Sequence, residues 1–119
     1  MGRGIDDTGK MTFDSSELIP NNSLVKLDAA GTISVADLGD VVLGTSLDEG
    51  LEVGQEIAVA LKSKQGTVLC IAEGAFALGA VVYGRNLGKI DDNATGATVF
   101  GTALAAATAA GDLIEVIPA

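Results

Sequence analysis

The sequence predicts an all-β fold, a small single domain built as a barrel or sandwich of about eight short strands and preceded by a flexible N-terminal arm. Three observations carry that prediction. Apolar residues make up 48% of the chain, yet they arrive in short groups broken by Gly, Asn or Asp. Turn signals recur roughly every 8 to 12 residues, the spacing of a sandwich or barrel. No apolar stripe of helical period runs over most of the chain. At 119 residues, folding hides roughly two-thirds of the unfolded surface, enough for one core without disulfides.

Residues 1–12 form the predicted arm, because Gly2, Gly4 and Gly9 sit among charges of both signs with little apolar surface to bury. The β domain then covers residues 13–119. Residues 23–35 read as a hairpin: Val25 and Leu27 face opposite to Lys26 and Asp28, and after a turn at Gly31 the alternation resumes with Ile33 and Val35. The apolar triplet Val41, Val42 and Leu43, closed by Gly44, suits a strand buried on both faces or one crossing under another segment. Residues 56–61 alternate Ile57, Val59 and Leu61 with smaller residues, and residues 67–73 return after a polar tip, which predicts a second hairpin. Residues 80–83, 88–91 and 97–104 supply three more short groups, and residues 113–117 the last strand. Short helices fit around Asp37 or Asp48. Residues 102–110 are the exception, since their Ala and Leu content favours helix by intrinsic propensity. The two hairpins share alternation but no residue pattern at a fixed offset, so no internal repeat is read.

Composition narrows the function. With no His there is no Ser-His-Asp or Cys-His pair and no imidazole ligand, and a single Cys closes neither a disulfide nor a zinc knuckle. A non-enzymatic protein without cofactor or metal is expected. The net charge of −9 repels nucleic acid and anionic membranes, and no apolar run is long enough to cross a bilayer. The expected product is soluble and made in the cytoplasm of its host.

The residue constellations that suggest chemistry each have a plainer reading. Asp91, Asn93, Thr95 and Gly96 match the first half of a calcium loop, but its twelfth position is Thr102 instead of a bidentate Glu, which favours a polar turn. The carboxylates Asp6, Asp7, Asp14, Asp37 and Asp40 read as solvated surface. Cys70, between Leu69 and Ile71, reads as a small core residue. Asn21-Asn22-Ser23 and Asn93-Ala94-Thr95 fit a glycosylation pattern but read as turn formers. Lys62 and Lys64 form a basic hairpin tip without the glycine pattern of a phosphate loop.

The C-terminal third reads Gly79-Ala-Val-Val-Tyr83, then Gly88-Lys-Ile90, then a Gly-Thr-Ala-Leu-Ala-Ala-Ala-Thr-Ala-Ala-Gly-Asp stretch from Gly101 to Asp112, then Ile114-Glu-Val116. This succession resembles the tail of bacteriophage capsid decoration, or cement, proteins over roughly the last 40 residues. The N-terminal arm and the first hairpin lie outside the pattern. The resemblance implies that residues 102–110 are strand running into a turn at Gly111-Asp112. It further implies a homotrimer on the outer surface of a virion capsid, tying neighbouring copies of the major capsid protein together without catalysis. On that reading Arg3, Lys10, Met11 and Phe13 are the candidate capsid-binding residues, and Ala105, Ala106 and Ala107 the candidate subunit interface. Attachment through so few cations is expected to depend only weakly on salt. Two other functions compete: a head-fibre base or host-surface adhesin, disfavoured by the shortage of aromatic rings for stacking on sugars, and a small-ligand-binding β-barrel.

Overall fold

The structure, a computed structural model, describes residues 9–62 and 66–119. Among these residues ten strands form two five-stranded antiparallel sheets in a sandwich-like, all-β arrangement. The first sheet holds β1 (Lys10–Asp14), β2 (Leu24–Leu27), β3 (Ile33–Val35), β4 (Gly44–Ser46) and β5 (Glu56–Leu61), in the order β1-β5-β4-β2-β3. The second holds β6 (Val68–Ile71), β7 (Val81–Gly84), β8 (Ile90–Asp91), β9 (Val99–Ala103) and β10 (Leu113–Pro118), in the order β6-β10-β9-β7-β8.

These two orders are one topology used twice, and the copies superimpose in sequence without a gap. Adding 57 to a residue number in the first half gives its counterpart in the second. The parallel bridge Ser15–Ile33 recurs as Ala72–Ile90, and the antiparallel bridge Ile19–Gly50 recurs as Phe76–Ala107. The Gly54 amide donates to the Ser15 carbonyl at 2.8 Å, and the Gly111 amide donates to the Ala72 carbonyl at 2.9 Å. Register agrees as well, with Phe13 opposite Ile57 and Cys70 opposite Ile114. The chain is therefore a tandem repeat, contrary to the expectation of none.

The repeat hides in sequence because few side chains are shared. The identical pairs are Gly9/Gly66, Val25/Val82, Gly31/Gly88, Ile33/Ile90, Gly39/Gly96, Val42/Val99, Gly44/Gly101, Thr45/Thr102, Leu47/Leu104, Gly54/Gly111, Ile57/Ile114 and Val59/Val116. Backbone geometry explains the pair in the middle strands: a Cβ on Gly44 would lie 2.2 Å from the Ala60 carbonyl oxygen, and one on Gly101 would lie 2.2 Å from that of Ile117. The shared Val and Ile are fully or almost fully buried and form the core face of each sheet, apart from the more exposed pair Val42/Val99. Ile19, Val25, Ile33, Ile57 and Val59 make one cluster. Val82, Ile90, Phe100, Ile114 and Val116 anchor a second, larger cluster that also takes in Leu24, Ala36 and Ala60 from the first repeat.

Several expectations are corrected. Residues 10–12 are not arm but most of β1, hydrogen-bonded along β5; residues 1–8 lie outside the described ones. Val41–Leu43 is not a strand: β4 begins at Gly44, and Val41 is 83% exposed. The strands at 56–61 and 68–71 do not form a hairpin, since β5 pairs with β1 and β4 whereas β6 pairs with β10. No α-helix forms around Asp37 or Asp48, where the Asp40 carboxylate accepts the Asp37 amide and the Asp48 carboxylate accepts that of Ala58. Residues 102–110 are neither helix nor continuous strand. After β9 ends at Ala103, both main-chain groups of Ala107 bond to Phe76 and the Asp112 carboxylate ties down Thr108 and Ala109, so no helical ladder can form. The turn at Gly111-Asp112 is present, with Gly111 at φ +93°.

Candidate interaction surface

The candidate contact residues divide between the two repeats. Arg3 lies outside the described residues. In β1, Lys10, Thr12 and Asp14 face outward while Met11 and Phe13 are half-buried, and Phe13 packs against the smaller core cluster. Phe13 thus serves the fold, and of the proposed anchors Lys10 is the exposed one on this strand. Ala105 and Ala106 are exposed in the loop between β9 and β10, but Ala107 is buried, bonded to Phe76 at 3.0 and 2.9 Å. As a subunit contact, Ala107 is corrected to a core position, the counterpart of Gly50.

A surface the sequence did not reveal is defined by how the repeats meet. Leu24 of β2, Thr45 of β4 and Ala60 of β5 point away from their own core and are covered by the second repeat. Leu24 packs beside Gly84, where a Cβ would rest in ordinary van der Waals contact, 3.5 Å from Leu24 Cδ1 and 3.4 Å from Val42 Cγ2. Gly88, in the 3₁₀ turn Asn86–Gly88, approaches closer still, a Cβ there falling 2.9 Å from the Leu24 carbonyl oxygen. Polar latches complete the junction. The Leu87 amide donates to Asp37 Oδ1 at 2.8 Å, the Leu38 amide to Asn86 Oδ1 at 3.0 Å, and the Gly88 amide to the Ala36 carbonyl at 2.8 Å. Lys62 Nζ donates to the Val99 carbonyl at 3.2 Å.

The junction joins two different faces. The first repeat contributes the face around Leu24, Ala36, Thr45 and Ala60; the second contributes the face around Gly84 and Gly88, with the Thr98 hydroxyl and the Val99 carbonyl at its edge, while the Val99 side chain stays exposed. A twofold junction would bring Gly31 against the second repeat as Gly88 meets the first, yet a Cβ on Gly31 would meet nothing within 4 Å. The packing is head to tail, and each terminal repeat keeps the face its sibling uses. On the second repeat, the counterparts of Leu24 and Ala60 are Val81 and Ile117, 47% and 46% exposed, flanking exposed Thr102. Register aligns these three across β7, β9 and β10 in one row. On the first repeat, the counterparts of Gly84, Thr98 and Val99 are Leu27, Val41 and Val42, which with Leu43 and Lys62 line an open groove of about 360 Å³.

The other constellations are engaged in holding the fold. Arg85 Nη1 donates to the carbonyls of Asn93 and Thr95 at 3.2 and 2.9 Å, so a guanidinium occupies the concave side of the calcium-like turn. Arg85 also pairs with Glu73 at 3.3 Å in a partly buried contact, and Lys26 with Asp40 at 3.4 Å in a more exposed, modest one. Asp28 accepts hydrogen bonds from Ser16, Ser34 and Thr32; the Ser16 hydroxyl above all holds its carboxyl below the usual value, against partial desolvation. Burial pushes the Cys70 thiol up to about 12, with the Thr45 hydroxyl opposing it across the junction, as suits an inert core cysteine. Between the repeats a second groove, of about 480 Å³, is lined by Leu18, Val35, Leu87 and Lys89. Its carboxylates are already committed: Glu17 Oε2 accepts the Val35 amide and Asp37 Oδ1 that of Leu87. Among the described residues no group of three Cys, Asp or Glu side chains converges as a metal site would require.

No protein-family model matches the chain, and no curated protein matches its sequence.

Proposed function

We propose that this chain is a structural virion protein that decorates the outer surface of a tailed-phage capsid and cements neighbouring major capsid subunits, acting as a homotrimer. The observation that carries this reading is a doubled β unit with large aliphatic side chains on its outside, among them Leu27, Val41, Leu51, Val53, Val81 and Ile117. Such a surface works by contact area. A net charge of −9 opposes non-specific aggregation, and many copies on a symmetric shell add modest contacts into a large total. The resemblance of the C-terminal 40 residues to decoration proteins supplies the class of partner.

The test is co-sedimentation of the purified protein with expanded heads of the phage or prophage that encodes it, stripped of decoration. Saturable binding at a fixed ratio to the major capsid protein, changing less than about tenfold between low and high salt, is expected. Absence of binding overturns the reading. Removing residues 1–8 leaves β1 intact and isolates the contribution of Arg3, so unchanged occupancy would assign attachment to the β repeats alone.

A further inference from the structure

We propose that copies of this chain associate with one another head to tail, the Val81, Val99 and Ile117 face of one second repeat seating on the Leu27, Val41 and Leu43 side of the groove of another copy's first repeat. The occupant follows from the molecule's own internal junction. One chain already holds this contact once, between its repeats, and a head-to-tail contact leaves one complementary face unused at each end. Those unused faces are the exposed counterparts of the buried ones. Leu24, fully buried against Gly84, corresponds to Val81; Val42, beside Gly84, corresponds to Val99; Ala60 corresponds to Ile117. At the receiving end, Gly84 and Thr98 correspond to Leu27 and Val41, 52% and 83% exposed on the rim of an apolar groove.

The differences between the internal and terminal faces set the strength of the contact. Internally, Asp37 and Asn86 latch the junction through main-chain amides. Their counterparts are Ala94 and Ala29, which have no side-chain acceptor, so the contact between chains is apolar and lacks both latches. Val81 is smaller than Leu24, but Ile117 is larger than Ala60 and Leu27 larger than Gly84, so both faces carry more apolar bulk than the internal pair and close less tightly. Association should accordingly be reversible and concentration-dependent. This inference stands on the repeat geometry and does not require the partner shell to be a capsid.

The experiment is mass measurement in solution, without capsids, on the full chain and on two single-face variants. Val41→Glu charges the groove from a loop position, and Val81→Glu charges the opposite face from a strand. The wild type should form species larger than a monomer at high concentration, and each variant alone should remain monomeric with an unchanged circular dichroism spectrum. Mixed together, the two variants should form a 1:1 dimer that grows no further, because each still carries the intact face the other lacks. A wild type that stays monomeric at its solubility limit overturns the proposal. So does assembly of either variant like the wild type, or failure of the mixture to pair. Should Val81→Glu lose its fold, Ile117→Glu serves as the second partner, and the Val41→Glu result still decides.

Discussion

The two repeats share a backbone and divide its uses. Position by position they keep the same strand order, bridges and turn amides, yet Leu24 is 0% exposed where its counterpart Val81 is 47% exposed. The same holds for Ala60 and Ile117. What differs is whether a neighbour covers the face, so an identical fold produces a core in one copy and an exposed apolar surface in the other. Conserved chemistry at each position was not needed for this. Asp28 meets Ser16 in the first repeat, and at the corresponding places Arg85 meets Glu73 in the second. Both pairs fasten the same corner of the sheet with opposite charge logic.

The strongest way to break that comparison is to truncate the paired positions. Leu24→Ala should cost about 3 kcal/mol, because it opens a cavity between the repeats that the rigid sheets cannot fill. Val81→Ala should cost less than about 0.5 kcal/mol in the dilute monomer. Thermal unfolding would show the first as a drop of roughly 10 °C and the second as almost none. Equal losses would mean that the two faces are equally covered. A Val81→Ala loss that appears only at high protein concentration would instead report the contact between chains.

A second pair should behave alike. Gly44→Ala and Gly101→Ala each drive a methyl group into a backbone carbonyl oxygen, of Ala60 and Ile117, that cannot rotate away. Each should cost about 2–3 kcal/mol, the range of overpacking. Chemical denaturation checks it through the midpoint at unchanged slope. Tolerance of one substitution but not the other would show that the middle strands of the two sheets are not held by the same constraint.

How far the sequence revealed this architecture follows the same division. The strands at residues 24–27, 33–35, 56–61, 68–71 and 81–84 were legible because alternating or unbroken apolar residues mark them, and the all-β class followed from them. The pairing of β5 with β1 was not legible. Lys10, Thr12 and Asp14 make β1 look polar, although Met11 and Phe13 turn inward between them. The triplet Val41–Leu43 defeats the pattern for the converse reason: Val41 is exposed, and Val42 and Leu43 pack at the edges of two different clusters just before β4 begins. The repeat escaped notice because it survives mostly as glycines and buried aliphatics, residue types common throughout a chain of this composition. The candidate surface was invisible for a stronger reason: Val81 and Leu24 look equally buried as letters, and only the head-to-tail junction distinguishes them.

The smallest effect compares the turns before the last strand of each repeat. Asp112 Oδ2 accepts the Thr108 amide at 2.8 Å, and at the matching place Gln55 Oε1 accepts the Leu51 amide at 2.9 Å. One acceptor titrates and the other does not. The Thr108 amide, with help from the Thr108 hydroxyl and the Ala109 amide, lowers the Asp112 pKa from its ordinary 3.8. A carboxyl lowered on folding contributes stability that is fully present above its unfolded value and is lost as pH falls through the folded one. Asp112→Ala should therefore lower the Tm slightly at neutral pH, and that loss should shrink as the solution is acidified below 3.8. Gln55→Ala should show a similarly small loss that does not change over the same interval. Thermal scans of both variants against wild type across that interval check this. A pH-independent Asp112→Ala loss would mean that the turn is held by the main chain alone, and that the two repeats solved it in the same way after all.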